Sequence, residues 1–535
     1  MASLTMLLYP PLLVLCAALT SAIHLCPLLG PSWPAATDIS NDPTVQSALQ
    51  NITTTIQDAI NAGNFSGDSL SLVIFDTSDP GPLLTLSYTA DAINTTIGVK
   101  EVDENTVFRI GSTSKMFTML LLLIEAGFNP LEDPVAEYVP EIQAAIFDLL
   151  RNSTQRQDGI DFTTWNEVTV GELASHLAGI PRDYGVLDLT EQAPLLESLG
   201  FPALPHAQIP PCGNSSMGYS RPTLFSPTSS TPIYSNAAFQ ILGYVVEALT
   251  SRDFDNSSLF RKANTGGISI LGKRDLPAAS THPQKDMSIF GRAILNSSLL
   301  PRSTTRRWMK PLTHTSSLDY AVGAPWEILS FGDERPIDLY TKSGDIGTYS
   351  CVLALDPDHG AGFVVLGAGD NTHVSLALAS DLVSASLLPA LEKAAKNHAN
   401  TRFAGKYALN TGNSSITITT DDGPGLAVTS WVNNGTDMFP GYMTLNGISD
   451  PSQLSIRLYP TGLESPGQLS LSGDLGTGIG PFTSSCITWV TVDSLVYGNV
   501  GLDEFVFKLD KNGNAVSVSP RVLRTVLPKT SGPIC

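Results

Sequence analysis

Between about residue 50 and residue 395 the apolar positions fall in two rhythms, one helical and one alternating. Thr113 to Ala126 (TSKMFTMLLLLIEA) is apolar on nearly every side, which predicts a helix buried all round, with Gly127 to end it. Asn236 to Thr250 (NAAFQILGYVVEALT) predicts a second helix opened by an N-cap-type residue. Tyr349 to Leu355 and Gly362 to Leu366 read as strands, joined as a hairpin by the turn-rich Asp356-Pro357-Asp358-His359-Gly360. Asp381 to Asn397 predicts a closing helix, with Pro389 as a possible kink. Beyond about residue 402 the chain turns Gly-, Ser- and Thr-rich, with short alternating runs such as Ser415 to Thr420 and Leu469 to Leu471, the pattern of a small all-β domain. Residues 23 to 45 form a Pro-rich lead-in, and residues 203–232 and 251–285 read as loop-like insertions.

At 535 residues the chain exceeds one ordinary core, and the shift in composition suggests residues 1–22 as a leader, 23–398 as a large domain and 399–535 as a small one. Met6 to Leu19 is apolar, too short to span a bilayer and interrupted by Pro10 and Pro11, and Thr20-Ser21-Ala22 offers small residues for cleavage after Ala22. No Lys or Arg precedes it, so a buried N-terminal helix is the alternative; no later stretch reads as long enough for a membrane span. Charged residues make up only 15% of the chain, against roughly 25% in ordinary soluble domains, which points to glycans as a source of solubility. Asn51, Asn64, Asn94, Asn152, Asn214, Asn256, Asn296, Asn413 and Asn434 each open an Asn-x-Ser/Thr triplet, as expected of a chain on a eukaryotic secretory route. A net charge of -20 without a basic patch argues against phosphate-backbone partners.

Cleavage of the leader would remove Cys16 and leave five cysteines, an odd number. Cys486 with Cys535, and Cys26 with Cys212, are the pairings we expect, although spacing fixes neither; Cys351 lies in a strand-like apolar run and is expected to be free.

Ser112-Thr113-Ser114-Lys115 puts a serine and a lysine on one face at the first turn of the buried helix. Burial makes a lysine give up its proton more readily, and the helix N-terminus favours negative charge on an alcohol. Spacing alone fits an N-cap serine and a surface lysine as well, but no other lysine in the chain has a serine three positions before it. Tyr234-Ser235-Asn236 offers a phenol for proton relay and an amide to orient a lysine or hold a carbonyl, although Tyr497-Gly498-Asn499 has the same form. Lys342-Ser343-Gly344 is the third element: on an edge strand facing a cleft, it would supply positive field, a hydroxyl for a substrate carboxylate and close backbone approach.

In this order, Ser-x-x-Lys, Tyr-x-Asn and Lys-Ser-Gly resemble the motifs of the serine β-lactamase and penicillin-binding-protein superfamily, in particular its class C branch with the related esterases and D-amino-acid peptidases. The flanks Asn129 to Glu141 (NPLEDPVAEYVPE) and Thr169 to Pro181 (TVGELASHLAGIP) are similar to family segments too, and the likeness runs from about residue 50 to 395. It implies an α/β (α+β) domain with a mainly antiparallel sheet flanked by helices, followed by a small all-β, lipocalin-like domain with Phe403 to Tyr407 as its first strand. It implies a secreted eukaryotic, fungal-type serine hydrolase acting on a small-molecule ester, amide, lactam or peptide through an acyl-enzyme, with no metal or other cofactor. Ser112 would be the nucleophile; Lys115 and Tyr234 would share the proton work; Asn236 would hold substrate and Lys115; Lys342 would stabilise charge and tune Tyr234. Backbone N–H groups of Ser112 and Asp345 would form the oxyanion hole, with Ser343 and Gly344 beside the substrate. Asp345 departs from the small residue often found there and would bring negative charge, whereas the retained Lys342 favours amide, peptide or lactam substrates.

An acyltransferase or thioesterase on the same fold, and a non-catalytic binding or sensor protein, are the competing readings. An α/β-hydrolase would need a Gly-x-Ser-x-Gly elbow, which the chain lacks, and its eight histidines form no metal-ligand spacing, so His176 reads as structural. Oligomeric state is not legible.

Overall fold

The computed structural model describes residues 29–91, 98–151, 163–183, 193–202, 226–251, 281–332, 335–465, 468–475, 489 and 492–533. The leader, Cys16, Cys26, Cys212, Cys486 and Cys535, and the sequons at Asn94, Asn152, Asn214 and Asn256 lie outside the described residues. The described chain divides into two compact units, one within residues 35–398 and one that joins residues 29–34 to those from 399 to 533.

The larger unit is built on an eight-stranded antiparallel sheet in the order β2-β1-β10-β9-β8-β7-β6-β5. Its strands are β1 (Ser69–Asp76), β2 (Pro82–Tyr88), β5 (Thr313–His314), β6 (Tyr320–Val322), β7 (Glu327–Phe331), β8 (Ile337–Ile346), β9 (Tyr349–Asp356) and β10 (Ala361–Ala368); β3 (Phe108–Arg109) and β4 (Thr281–His282) form a separate short pair. All eight residues of β1 are buried because helices cover both faces of the sheet. The strand alternation sorts the side chains between two cores. Val73, Phe75, Val364 and Leu366 join the core with α2 (Ser114–Glu125), α3 (Asn236–Thr250) and α4 (Gln284–Leu295), whereas Leu72, Ile74, Phe363 and Val365 face α1 (Pro43–Asn61) and α5 (Thr372–Phe403).

Local chemistry starts these helices. Asp42 caps α1, its carboxylate accepting from Thr44 N at 2.8 Å and Val45 N at 3.2 Å, and Val45, Leu49, Ile52 and Ile56 form the buried stripe. Ser235 caps α3, its hydroxyl accepting from Ala238 N at 3.0 Å. In α2 the residues from Ser114 to Leu123 are all buried, and Gly127 follows at φ 67°, a conformation that suits glycine. The hairpin of β9 and β10 forms where the alternating runs predict it.

Four expectations change. The closing helix is longer, Thr372–Phe403, because its start is held from far away in sequence: the Asp68 carboxylate accepts from Asn371 N at 3.1 Å and Ser375 Oγ at 2.6 Å. That helix has the length and apolarity to cross a membrane, but Leu376, Val383, Leu387 and Leu391 are buried in the core beneath the sheet. Thr281–His282 and Gln284 onward are ordered as β4 and α4 rather than insertion, since Phe108 pairs with His282. Lys342-Ser343-Gly344 lies on β8, an interior strand, not on an edge; β7 begins only at Glu327, opposite Thr341, so the Lys-Ser-Gly end of β8 overruns its neighbour.

The smaller unit is all β. Strands β11 (Gly405–Ala408), β12 (Ser415–Thr419), β13 (Leu426–Asn433), β15 (Ile456–Ser465), β16 (Gln468–Leu475), β17 (Glu504–Leu509), β18 (Ala515–Pro520) and β19 (Leu527–Ser531) run antiparallel, with β14 (Thr436–Asp437) beside β13. Pairing of β12 with both β11 and β13 closes them into a ring. Aromatic side chains fill it: Tyr407, Trp431, Phe505 and Phe507 are buried, and Phe403 meets Phe507 edge-on at 5.3 Å. Phe403 belongs to α5, so the first strand starts at Gly405, not Phe403, and the Tyr407 hydroxyl donates to the Phe403 carbonyl at 2.5 Å.

Candidate active site

Ser112 sits in a short 3₁₀ turn, Gly111–Thr113, that leads into α2, while Lys115 is the second residue of that helix. Because α2 is buried all round, Lys115 has no exposed surface. Its Nζ lies 3.0 Å from Ser112 Oγ, 2.7 Å from Tyr234 Oη and 2.6 Å from Asn236 Oδ1. Tyr234 Oη also hydrogen-bonds Ser112 Oγ directly. Three side chains from two distant stretches therefore meet around the Lys115 amine. Burial, and then the nearby Lys342 charge, hold the Lys115 amine well below its ordinary value of 10.5. Burial pushes the Tyr234 phenol up instead, with Lys342 pulling in the opposite direction. The Lys115 amine thus gives up its proton readily while the phenol keeps its own.

The flank Thr169 to Pro181 positions the Tyr234 turn. Thr169 opens it with a capping box to Glu172, His176 O and Arg182 O accept from Ile233 N and Asn236 N, both at 2.8 Å, and Pro181 O accepts from Ser235 Oγ at 2.7 Å. His176 is buried, its Nδ1 accepting from Ser235 N at 3.2 Å and its ring 4.7 Å from that of Tyr234. Burial, with Lys342 and Lys115 nearby, holds its imidazole well below 6.5, so it is neutral and shapes the turn, as expected of a structural histidine. Asn236 Nδ2 donates to Asp183 Oδ1 at 3.0 Å, which fixes the amide so that its oxygen faces Lys115.

The Lys342 strand approaches Ser112 backbone to backbone. A Cβ on Gly344 would fall 2.1 Å from Ile110 O and 2.5 Å from Ser112 N, and one on Gly111 would fall 2.6 Å from Asp345 N. Only glycine fits at either place, and Gly111 also has φ 50°. This brings the N–H groups of Ser112 and Asp345, the expected oxyanion donors, onto neighbouring segments.

Two details depart from expectation. The Asp345 carboxylate accepts from Ser350 Oγ at 2.6 Å, which draws it into the sheet's own hydrogen bonds. More consequentially, the donors of Lys342 and Ser343 are already engaged within the protein. Glu327 Oε1 takes Lys342 Nζ at 2.5 Å, and Oε2 takes both Ser343 Oγ and Ser343 N at 2.8 Å. Lys342 Nζ still lies 5.4 Å from the centre of the Tyr234 ring. Glu327 and Asp183 have no local sequence signal, since each acts on a motif distant in the chain. Tyr497-Gly498-Asn499 lies in the smaller unit, where the Tyr497 and Gly498 carbonyls accept from Arg524.

A family model described as "Beta-lactamase" matches residues 56–258, which hold Ser112 to Lys115 and Tyr234 to Asn236, and one described as "Beta-lactamase-like-like, C-terminal domain" matches residues 395–531. The chain therefore carries β-lactamase-like family domains. A "Beta-lactamase-like protein" of Arthroderma benhamiae is 27% identical over 590 residues, covering 95% of this chain and 96% of that one. "Probable hydrolase M10" of a Phoma species is 23% identical, covering 77% of this chain and 73% of its own length. The octameric penicillin-binding protein homologue from Pyrococcus abyssi aligns with a TM-score of 0.45 at 14% identity, over 88% of this chain and 97% of that one. The relatives of this chain thus include fungal proteins, one of them named as a probable hydrolase. Among the described residues no group of His, Cys, Asp or Glu is placed to hold a metal ion.

Proposed function

We propose that this β-lactamase-like protein is a secreted serine hydrolase that cleaves an ester or amide bond through an acyl-enzyme on Ser112. The buried Lys115 amine within hydrogen-bond reach of Ser112, Tyr234 and Asn236 carries the reading. A neutral amine has two protons and one lone pair. Asn236 Oδ1 can only accept, so it takes one proton; the second goes to Tyr234 Oη, Tyr234 donates to Ser112 Oγ, and Ser112 donates to the Lys115 lone pair. Every donor then has an acceptor, and the serine proton already points at its base.

In the first step Ser112 Oγ bonds to the substrate carbonyl carbon and its proton passes to Lys115. The oxyanion is met by the N–H groups of Ser112 and Asp345, and the proton returns through Tyr234 to the departing alcohol or amine as its bond to carbon breaks. Water then attacks the acyl-enzyme by the same route, releasing the acid and restoring Ser112. Export is supported by the leader-like N-terminus and by the exposed side chains of Asn51, Asn64, Asn296, Asn413 and Asn434.

Hydrolysis of a short-chain aryl ester by the purified protein is the test, with Ser112→Ala as control. Turnover in the wild type that vanishes in the variant, with covalent labelling of Ser112 by a neutral phosphonate, is the expected result. Equal rates in both proteins, or no turnover and no adduct, would leave the non-catalytic reading standing.

A further inference from the structure

The three donors that the Lys-Ser-Gly strand would offer a substrate carboxylate are Lys342 Nζ, Ser343 Oγ and Ser343 N, and one residue of the chain itself holds all three. Glu327 takes Lys342 Nζ on Oε1 at 2.5 Å and the two Ser343 donors on Oε2 at 2.8 Å each. The arrangement is built rather than a chance surface pairing. Glu327 opens β7 directly opposite Thr341, whose hydroxyl donates to the Glu327 carbonyl at 2.6 Å, and it follows Trp326, which is fully buried. The Lys342 side chain is 1% exposed, and Nζ also donates to Ser343 O at 2.7 Å.

We infer that Glu327 is a specificity-determining residue that occupies the carboxylate-binding donors of the Lys-Ser-Gly strand, so that this chain acts on substrates uncharged at that position and rejects those with a carboxylate there. The inference rests on the acyl-enzyme reading above and narrows its substrate class. An incoming carboxylate would find Lys342 Nζ and both Ser343 donors already engaged by Glu327 and would meet the negative charge of that side chain, and displacing Glu327 would strand its charge away from its partners. Arg182 stands nearby, its guanidinium 5.1 Å from the centre of the Tyr234 ring and its Nε paired with Asp183 at 3.4 Å. Retention of Lys342 therefore does not imply lactam or C-terminal peptide substrates, since its charge is matched within the protein.

A pair of esters that differ only in this charge tests the inference: 3-acetoxybenzoate, which carries a carboxylate on the leaving phenol, and its methyl ester. The wild type is expected to hydrolyse the methyl ester with kcat/KM at least about tenfold higher, and benzoate is not expected to compete. In Glu327→Gln and Glu327→Ala the ratio of the two kcat/KM values should shift toward the carboxylate by about tenfold or more, with benzoate becoming a competitive inhibitor. Labelling of Ser112 by the neutral phosphonate reports that each variant has an assembled site. Equal rates on the two esters, or a preference for the carboxylate, in the wild type would overturn the inference even if both variants failed to fold. An unchanged ratio in labelled variants would overturn it as well. A wild type that turns over neither ester and takes no label would instead refute the acyl-enzyme reading itself.

Discussion

At the scale of single residues, the site depends on a lysine that folding strips of water. Lys115 has no exposed surface and shares its surroundings with Lys342, so its proton is held less tightly than in a free lysine. kcat/KM for a neutral ester should then rise with pH through a group titrating well below 10.5 and level off above it. Lys115→Met should lower kcat/KM by about a hundredfold or more and remove that rising limb, which a pH–rate profile would show. The same group has a stability signature of known sign. The unfolded chain binds the lysine proton up to about 10.5 while the folded chain does not, so wild-type stability should gain on that of Lys115→Met as pH rises toward that value, read as the difference in melting temperature. Gly344 is a second decisive position. Gly344→Ala would place a methyl 2.1 Å from Ile110 O, a backbone atom that cannot swing aside, so loss of phosphonate labelling at Ser112 and a fall in stability of about 1–3 kcal/mol are expected. The serine–lysine spacing was legible because it is local to one helix. Glu327 and Asp183 were not, because each reaches a motif distant in sequence and follows no fixed offset.

Among the elements, the β9–β10 hairpin shows how a turn readable in sequence gains partners that are not. His359 Nδ1 lies 2.6 Å from Asp356 Oδ2 within the turn, while Nε2 lies 3.0 Å from Glu392 Oε2 on α5. Arg335, just ahead of β8, pairs with the same Glu392 oxygen at 2.6 Å and with Asp358 at 2.6 Å. Burial alone would push the His359 imidazole down, but Asp356 and Glu392 outweigh it and hold it at about 10, and bonds from His359 and Arg335 bring Glu392 down to about 2 against its own burial. The His359 contribution is therefore complete below its ordinary 6.5 and lost as pH climbs through about 10. That of Glu392 is complete above 4.5 and lost as pH falls through about 2. His359→Gln should lower the melting temperature most between these ordinary values, with the gap to wild type closing as pH approaches 10; a pH-independent gap would refute the charge-based account. The long run of α5 follows the same lesson, since Asp68, 303 residues ahead of Asn371 in the chain, holds its start.

For the whole molecule, the low charge density supports the proposed glycosylation, and five sequons present exposed asparagines on the described surface. Production in a eukaryotic secretory host should give a secreted product whose apparent mass falls on endoglycosidase treatment. A product retained in the cell, or one of unchanged mass, would count against export. Composition also separates the Gly-, Ser- and Thr-rich end from the rest, and the structure shows that end as an antiparallel ring of strands. Alternating runs reveal strands but not their neighbours, so closure of the ring through β12 and β13 had no sequence signature.

Periodic or contiguous features could be read along the chain: the buried nucleophile helix, the capped α3, the β9–β10 hairpin and the order of the three motifs. These depend on spacing along the chain, which sets the face a side chain occupies. Only the tertiary structure decided that the Lys-Ser-Gly strand is interior with an overrunning end, that Gly111 and Gly344 bring two backbones together, and that Glu327 holds the donors a substrate would otherwise meet. Each of those depends on how strands align across the sheet or on contact between distant segments, and neither is written in the spacing of residues along the chain.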